Sequence, residues 1–550
     1  MAPHFEEKNA RIGDIVDRNA EQLNDRIALA FHEFGLKKSF TEFREICDRM
    51  AKGLMALGVK QGEHIAIWAN NLPEWVYTQF GSAKAGAVLV TVNTAFRAFE
   101  LEYLLNQSDS TTLILTGGIR EPDEYLRILR QVCPEIDSCA PGRLTSAKLP
   151  RLRNVIHLGA ETIPGMYNWN DLLGLGETVP DADLAERSES LDPDDVIMMQ
   201  YTSGTTGYPK GVMLTHRNLI GNARSMAEIM DLSPKDTLCI PVPMFHCFGC
   251  VIGTMCATVS GAAMAPVTGF RADTVMETID ALKCTVVHGV PTMFIAELEE
   301  MEKRNYDTSA LRTGVMAGST CPIEVMKGVI NRMGAKEITI VYGQTESSPG
   351  ITQTRRDDSL KIRTETVGRA LPHVEVKIVD PVTGETLPPG QTGELCSRGY
   401  HIMKGYYKMP DKTAETIDRD GWLHTGDLAS MDAEGNCSIQ GRLKDMIIRG
   451  GENIYPREIE EFLYTHPRIK DAQVVGIPSR KYGEEVAAFI QLKSGSNSLT
   501  PEDIQAFCRE RISFHKIPRY IHFVSAFPTT ASGKIQKFKL REMAVKEAGN

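Results

Sequence analysis

Short apolar runs alternate with amphipathic stretches along the first third of the chain. The runs EHIAIWAN, AVLVTVN and TTLILT predict strands, while Pro73–Ala85, FELEYLLNQ and YLRILRQVC predict helices. Pro73 would stand in the first turn of its helix, where proline is favourable. Strands and helices that alternate in this way indicate βαβ units and a parallel sheet, so we expect an α/β fold.

A glycine-rich segment, YTSGTTGYPKG at residues 201–211, follows the strand candidate DVIMMQY. After it, Thr215 has the residue type of an N-cap and precedes a helix with one apolar face, so we expect the segment to connect a strand to a helix. Its glycines allow backbone N–H groups to approach a phosphate, and Lys210 adds a positive charge. Walker A spacing is absent, because Lys210 follows Gly207 by three positions and no Ser or Thr comes next.

A second polar segment follows the strand candidate EITIVY, which ends at Tyr342. Thr345 and Glu346 then lie in a loop beyond the carboxyl end of a strand, the edge at which open α/β sheets bind ligands. A hard divalent cation that bridges phosphates requires a carboxylate, and a neighbouring hydroxyl can bond a phosphoryl oxygen. By itself, however, a glutamate in a loop is more often a solvated charge, so the residues alone leave the role of this loop open.

The composition changes after about residue 380. PVTGETLPPGQTGE is rich in turn-forming residues, and LCSRG after it is a strand candidate. From GRLKD onward the pattern is α+β, with a helix starting near Pro456, strands at QVVGI, VAAFIQL and YIHFV, a helix after Pro501, and a basic tail. We place a domain boundary in GRLKD, which predicts domains at residues 1–441 and 442–550.

Bulk properties restrict the class of protein. A chain of 550 residues exceeds what one hydrophobic core supports, and a net charge of −10 argues against a protein that coats nucleic acid. The acidic start, MAPHFEEKNARIGD, does not match a signal peptide, so we expect a cytoplasmic protein. The twelve cysteines are expected to be buried thiols. The uncharged run at residues 240–270 contains prolines and hydroxyls, which favour a buried stretch near a binding cleft over a membrane span.

Six motifs resemble, in order, those of the adenylate-forming superfamily, which contains the acyl- and aryl-CoA synthetases. They are YTSGTTGYPKG, YGQTE, GWLHTGD, GRLKD, GGENIYP and SGKIQK, and the resemblance covers nearly the whole chain. It implies a large N-terminal domain with parallel-rich sheets and a small, mobile α+β C-terminal domain that rotates about a hinge at Lys444. It also implies that ATP, Mg²⁺ and coenzyme A take part in the reaction.

The resemblance assigns roles to individual residues. Lys534 matches the catalytic lysine of the adenylation step, Thr345 and Thr202 fall among the catalytic residues, and Glu346 matches the Mg²⁺ ligand. The residues expected to contact the nucleotide or coenzyme A are Ser203, Gly204, Thr205, Thr206, Gly207, Lys210, Gly318, Ser319, Tyr342, Gly343, Gln344, Asp427, Arg442, Gly450 and Gly451.

The activity that the resemblance implies is an ATP-dependent acyl-CoA ligase, which forms an acyl-adenylate and then a thioester and releases AMP and pyrophosphate. His246, Phe245 and Gly249 in MFHCFG would line the acyl pocket, whose open-looking segments favour a medium-chain fatty, alicyclic or aromatic acid. Two alternatives stay open: a stand-alone ligase that loads a separate carrier protein, and a nucleotide-binding homologue without turnover. We expect that the protein binds no nucleic acid and has no integral membrane segment. The sequence is compatible with a homodimer.

Overall fold

The chain forms two compact units. One consists of Met1–Glu375 and Arg398–Leu423, and the other of Val376–Ser397 and His424–Asn550. The structure is a computed structural model. It describes residues 9–119, 121–202, 209–318, 321–449, 452–493, 499–509, 511–512, 514–530 and 535–548.

Two helices begin where the sequence predicted. Pro73 occupies the first turn of its helix, and the Thr215 hydroxyl caps another by accepting from the Asn218 N–H at 3.2 Å. The α-helices of the described residues are α1 (Ile12–Leu23), α2 (Phe40–Ala56), α3 (Pro73–Ala85), α4 (Ala98–Gln107), α5 (Glu124–Val132), α6 (Trp169–Gly176), α7 (Asp181–Glu189), α8 (His216–Ile229), α9 (Cys256–Ser260), α10 (Ala272–Leu282), α11 (Pro291–Glu300), α12 (Ile323–Gly328), α13 (Leu360–Glu365), α14 (Pro410–Thr416), α15 (Pro456–Tyr464), α16 (Pro501–Cys508) and α17 (Lys537–Ala548).

The strands of the described residues group into four sheets. They are β1 (Ile27–Phe31), β2 (Leu36–Ser39), β3 (His64–Trp68), β4 (Val88–Thr91), β5 (Thr112–Leu115), β6 (Asn154–His157), β7 (Tyr167–Asn168), β8 (Val196–Thr202), β9 (Lys210–Thr215), β10 (Thr237–Ile240), β11 (Ala263–Pro266), β12 (Val286–Gly289), β13 (Thr313–Ala317), β14 (Thr339–Gly343), β15 (Gly350–Gln353), β16 (Arg369–Ala370), β17 (Val374–Val379), β18 (Gly393–Gly399), β19 (Gly405–Tyr406), β20 (Leu423–Met431), β21 (Cys437–Arg442), β22 (Ile447–Arg449), β23 (Glu452–Ile454), β24 (Ile469–Ser479), β25 (Gly483–Leu492) and β26 (Tyr520–Phe523).

A nine-stranded sheet in the first unit has the order β16-β15-β14-β13-β12-β10-β11-β1-β2. Strands β11, β10, β12, β13 and β14 run parallel, so their carboxyl ends meet at one edge. β12 and β13 are buried along their whole length, as expected for parallel strands that are covered on both faces.

An eight-stranded sheet, also in the first unit, has the order β19-β9-β8-β4-β3-β5-β6-β7. Its strands from β8 to β7 are parallel, which confirms the predicted βαβ pattern. β9 instead runs antiparallel to β8, with Thr202 opposite Lys210. The prediction that the glycine-rich segment connects a strand to a helix was therefore wrong, because a strand intervenes before α8. The sequence signal for β9 was weak, because the strand has only six residues. One of the two strands that pair with it, β19, is distant in sequence.

The second unit is α+β. It contains most of the sheet β17-β18-β20-β21 and a sheet of order β23-β22-β25-β24 with β26 beside β25. α15 and α16 begin at Pro456 and Pro501, as predicted. The predicted basic tail was wrong, because residues 537–548 form α17, whose Leu540 and Ala544 are buried against the sheet. Residues four positions apart lie on one face of a helix, so Leu540 and Ala544 pack on the sheet together. Together the units have the predicted fold class.

The cysteines and the long uncharged run lie inside the protein. All twelve cysteines are free thiols, and eleven of them are buried. Residues 240–270 include the π-helix Phe248–Met255, α9 and β11, all largely buried. Among the described helices, none combines the length and the apolar composition that a membrane span requires.

One buried carboxyl group has no hydrogen-bond partner among the described residues. Glu297 on α11 is fully buried, and neither of its carboxylate oxygens meets a donor there. Burial raises the pKa of Glu297 to about 8. The side chain is therefore mostly protonated at neutral pH.

Candidate active site

The carboxyl edge of the nine-stranded sheet gathers several of the predicted site residues. Gly318 follows β13, His246 follows β10, and Thr345 and Glu346 follow β14 in the single 3₁₀ turn Thr345–Ser347. Because β10, β13 and β14 lie in one parallel stretch of sheet, these residues come to the same edge. That edge is the usual ligand site of an open α/β sheet.

Glu346 is buried and held by a tyrosine that the sequence analysis did not predict. The Tyr406 hydroxyl donates to Glu346 Oε1 at 2.7 Å. The Met403 N–H donates to the Glu346 carbonyl at 2.9 Å, which fixes the backbone as well. Burial, together with the adjacent Glu346 carboxylate, raises the pKa of Tyr406, so the phenol keeps its proton and remains a donor. One carboxylate oxygen is thus fixed in position.

Lys210 contacts the ring of the same tyrosine. Its Nζ is 4.0 Å from the centroid of the Tyr406 ring, a cation–π contact. The short strand β19 pairs with β9, placing Tyr406 opposite Val212, and the Tyr407 N–H donates to the Gly211 carbonyl at 2.8 Å. Tyr406 therefore joins the strand that carries Lys210 to the turn that carries the acidic residue.

The turn that carries Thr345 and Glu346 is held from behind by α8. Asn222 Oδ1 accepts from the Gly350 N–H at 2.9 Å, and Asn222 Nδ2 donates to the carbonyls of Gly350 at 2.8 Å and Ser347 at 3.4 Å. Asn222 is fully buried, so losing these bonds would leave polar groups without partners. The amide fixes the turn against the helix that follows β9.

The predicted acyl-pocket residues stand at the start of the π-helix Phe248–Met255. The His246 carbonyl accepts from the N–H groups of Gly249 at 2.9 Å and Cys250 at 3.2 Å. His246 and Phe245 are half-buried, and Gly249 is buried. A Cβ on Gly249 would collide with a backbone carbonyl of the preceding turn, so this position requires glycine.

The same segment contacts the turn that carries Thr345 and a buried histidine, His288. Cys247 Sγ lies 3.8 Å from Thr345 Oγ1, and the ring centroids of Phe248 and His288 are 6.2 Å apart. His288 Nδ1 accepts from the Val315 N–H at 3.1 Å. Burial lowers the pKa of His288 to about 4, so its imidazole is neutral at pH 7. The side chains of this buried segment and of its neighbour His288 are therefore uncharged.

Further predicted residues also belong to the first unit. Thr202 ends β8, and its buried hydroxyl has no hydrogen-bond partner among the described residues. Gly318 has a φ of +89°, a backbone conformation that favours glycine. Tyr342 and Gly343 end β14, and Gln344 opens the turn.

Nine predicted residues lie outside the described part of the chain: Ser203, Gly204, Thr205, Thr206, Gly207, Ser319, Gly450, Gly451 and Lys534.

The second unit brings together the two other predicted nucleotide contacts. Asp427 on β20 is opposite Arg442 on β21, and Arg442 Nε lies 3.3 Å from Asp427 Oδ1. Asp427 is largely buried, whereas Arg442 is exposed. Lys444 follows in the 3₁₀ turn Leu443–Asp445, and burial, with Arg442 nearby, lowers its pKa. An aspartate held in this way offers its carboxylate to a pair of hydroxyls.

Sequence reasoning missed Tyr406, Asn222 and His288. Tyr406 reaches Glu346 only because β19 pairs with β9, a contact between distant parts of the chain. Asn222 lies in the predicted helix after Thr215, where an asparagine on the helix face was the only available signal. His288 lies in a short apolar strand and would have passed as a core residue.

Comparison with known proteins places this geometry in a family. The model of the AMP-binding enzyme family matches residues 16–407, and that of the AMP-binding enzyme C-terminal domain matches residues 458–534. The chain therefore belongs to the family of AMP-binding enzymes, as the motifs predicted.

Individual relatives define the reaction. YngI of Bacillus subtilis (strain 168), which carries the name of an acyl-CoA synthetase, is 55% identical over 98% of this chain and 97% of its own length. The medium-chain acyl-CoA ligase ACSF2 of Danio rerio is 42% identical over 98% of this chain and 89% of its own. The crystal structure of the anthranilate CoA ligase AuaEII in complex with anthranoyl-AMP has a TM-score of 0.86 and 27% identity, with 98% of both chains covered. The chain is an AMP-forming acid–CoA ligase that uses ATP to make an acyl-adenylate and then a thioester.

Proposed function

We propose that this ligase activates a medium-chain fatty, alicyclic or aromatic acid, with Mg²⁺ as metal and coenzyme A as thiol. The observation that carries the substrate class is the lack of charged side chains in the predicted pocket segment; we place an uncharged wall at the half-buried Phe245 and the buried π-helix that follows it. His288, which is fully buried beside Phe248 and neutral, adds no positive charge to this segment. The name of ACSF2, a medium-chain acyl-CoA ligase, supports the same class.

In the first half-reaction, an oxygen of the acid attacks the α-phosphorus of ATP and the bond to the β-phosphate breaks. A carboxylate and a triphosphate repel each other, so the protein must supply positive charge and donors along the reaction path. We assign Lys534 to the charge on the α-phosphoryl group and Lys210 to the departing pyrophosphate. Thr345 and Thr202 supply hydroxyls to phosphoryl oxygens. In this structure Lys210 lies over the Tyr406 ring, so it must leave that ring to contact pyrophosphate.

The residues around Glu346 fit a magnesium ion. Mg²⁺ takes oxygen ligands in proteins, and the Glu346 carboxylate is buried, with one oxygen fixed by the Tyr406 hydroxyl. When bound, the ion would screen the charges of the ATP phosphates. Tyr406 prepares this ligand by restricting the carboxylate to one orientation.

In the second half-reaction, the thiol of coenzyme A loses its proton and attacks the acyl carbonyl, and the bond to AMP breaks. We propose that residues 442–550 rotate about Lys444 between the two steps, which withdraws Lys534 and presents the segment with Gly450 and Gly451. The short 3₁₀ turn around Lys444 is a suitable place for such a change in backbone torsions. Asp427 would bind the ribose hydroxyls of ATP, and Arg442 would also contact the nucleotide.

A substrate panel tests the proposed substrate class. Consumption of coenzyme A is measured with acetate, hexanoate, octanoate, cyclohexanecarboxylate, benzoate and malonate, each with ATP and Mg²⁺. We expect the highest kcat/KM with octanoate, hexanoate or one of the ring acids, and little activity with malonate, whose second carboxylate would face the uncharged wall. A preference for malonate or acetate would contradict the proposal. Acid-dependent ATP–pyrophosphate exchange without thioester formation would favour the carrier-protein alternative.

The cytoplasmic location of the protein and its assembly as a homodimer stay predictions.

A further inference from the structure

Three side chains of different ligand types converge in the second unit, and none of them was assigned a role above. They are Glu394 and Cys396 on β18 and His424 on β20. Residues two apart on a strand project from the same face, and β20 is the neighbour of β18 in the sheet. The carboxylate, the thiol and the imidazole therefore meet above one face of the sheet.

The three ligand atoms lie close enough together to reach one metal ion after small side-chain shifts. His424 Nδ1 lies 2.8 Å from Glu394 Oε2 and 3.5 Å from Cys396 Sγ, and all three ligand atoms lie within 4.8 Å of one another. A tetrahedral ion with bonds of roughly 2.0–2.3 Å holds its ligand atoms about 3.3–3.8 Å apart. Small side-chain adjustments would place all three atoms around one ion.

The surroundings of the three groups orient and partly bury them, as the surroundings of a metal site do. The second carboxylate oxygen, Glu394 Oε1, accepts from the Gly426 N–H at 2.9 Å, which fixes the carboxylate as an outer-shell bond fixes a metal ligand. Glu394 and Cys396 are buried, whereas the His424 side chain is 33% exposed. An ion could thus enter from the side of the histidine and keep a coordination position open to water.

We propose that Glu394, Cys396 and His424 bind one Zn²⁺ ion. Nitrogen, sulfur and oxygen ligands together select a borderline-soft ion such as Zn²⁺ or Co²⁺, whereas Mg²⁺ avoids thiolates. On binding, the Cys396 thiol releases its proton to solvent and the sulfur binds as thiolate. The ion would tie β18 to the segment that leads into Asp427, three residues after His424.

Cobalt titration of the full chain tests the site. The protein, stripped of metal and free of ATP, is titrated with Co²⁺ and then with Zn²⁺, and thiolate-to-cobalt charge-transfer absorption is recorded. We expect one Co²⁺ per chain with that absorption, its displacement by Zn²⁺, and a melting temperature that rises with Zn²⁺. Cys396→Ser, which keeps the Glu394–His424 contact, should lose the absorption and bind at least about tenfold more weakly.

Matched variants locate the signal. Cys139→Ser changes the half-buried thiol elsewhere in the chain, and Glu346→Gln changes the proposed magnesium ligand, so both should keep the cobalt absorption. His424→Gln, which retains the thiol, should weaken binding and serves if Cys396→Ser does not fold. Absence of stoichiometric cobalt binding, or absorption unchanged in Cys396→Ser, would overturn the proposal. Neither result depends on the substrate or on activity.

Discussion

The contact between Tyr406 and Glu346 permits a quantitative prediction. Tyr406→Phe removes the hydroxyl that donates to Glu346 Oε1 at 2.7 Å and keeps the ring beneath Lys210. A hydrogen bond to a charged group contributes about 1.5–3 kcal/mol. Because about 1.4 kcal/mol corresponds to a factor of ten, losing the part of this energy that orients the carboxylate for the ion should weaken magnesium binding by roughly tenfold and by at most about 100-fold.

The assay is acid-dependent ATP–pyrophosphate exchange measured across a range of Mg²⁺ concentrations. We expect Tyr406→Phe to raise the Mg²⁺ concentration for half-maximal exchange at least about tenfold, with a smaller loss of rate at saturating Mg²⁺. The control is Tyr407→Phe, whose hydroxyl donates instead to Asp109 Oδ2 at 2.9 Å and should leave the Mg²⁺ dependence unchanged. In a Glu346→Gln background, Tyr406→Phe should have little further effect. An unchanged Mg²⁺ dependence in the single variant would refute the positioning role of Tyr406.

Three other predictions concern the two lysines and the buried acid. Lys534→Ala should abolish adenylate formation and spare thioester formation from a supplied acyl-adenylate; equal loss in both assays would contradict its role. Lys444→Pro should spare adenylation and depress thioester formation, so an unchanged overall rate would remove Lys444 from the hinge. Glu297 has a pKa raised to about 8 by burial, so the unfolded chain loses this proton first and the native protein loses stability as the pH rises towards 8. The free energy of unfolding of Glu297→Gln relative to the wild type should therefore rise by about 2–3 kcal/mol when the pH is raised from 5.5 to 7.5. Denaturant titrations at both pH values measure this difference, and a difference that does not change with pH would contradict the prediction.

Local patterns predicted the elements whose signals are contained in their own residues. The parallel strands and helices of the first unit follow from apolar runs separated by amphipathic ones, and Pro73 and Thr215 mark helix starts by their residue type. β9 was missed because its partners β8 and β19 satisfy its backbone, and one of them is distant in sequence. α17 was missed because Leu540 and Ala544 supply few apolar positions among many charges.

The candidate site shows the same contrast between residues that a local motif identifies and residues that only tertiary contacts bring into place. The residues expected to bind phosphate could be named from motifs, since each motif is a continuous string. Tertiary structure decides the groups that orient them: the Tyr406 hydroxyl on Glu346, the Asn222 amide behind the turn, and the burial that keeps His288 neutral. None of these contacts has a signature in a short stretch of sequence.

The most direct test of the central claim is exchange of labelled pyrophosphate into ATP in the absence of coenzyme A. An AMP-forming ligase that proceeds through an acyl-adenylate must catalyse this exchange when its acid is present and must release AMP once coenzyme A is added. We predict exchange that depends on a medium-chain or ring-containing acid, on ATP and on Mg²⁺. If no carboxylic acid in a broad panel drives exchange, or if ADP and phosphate are the products, the account is contradicted.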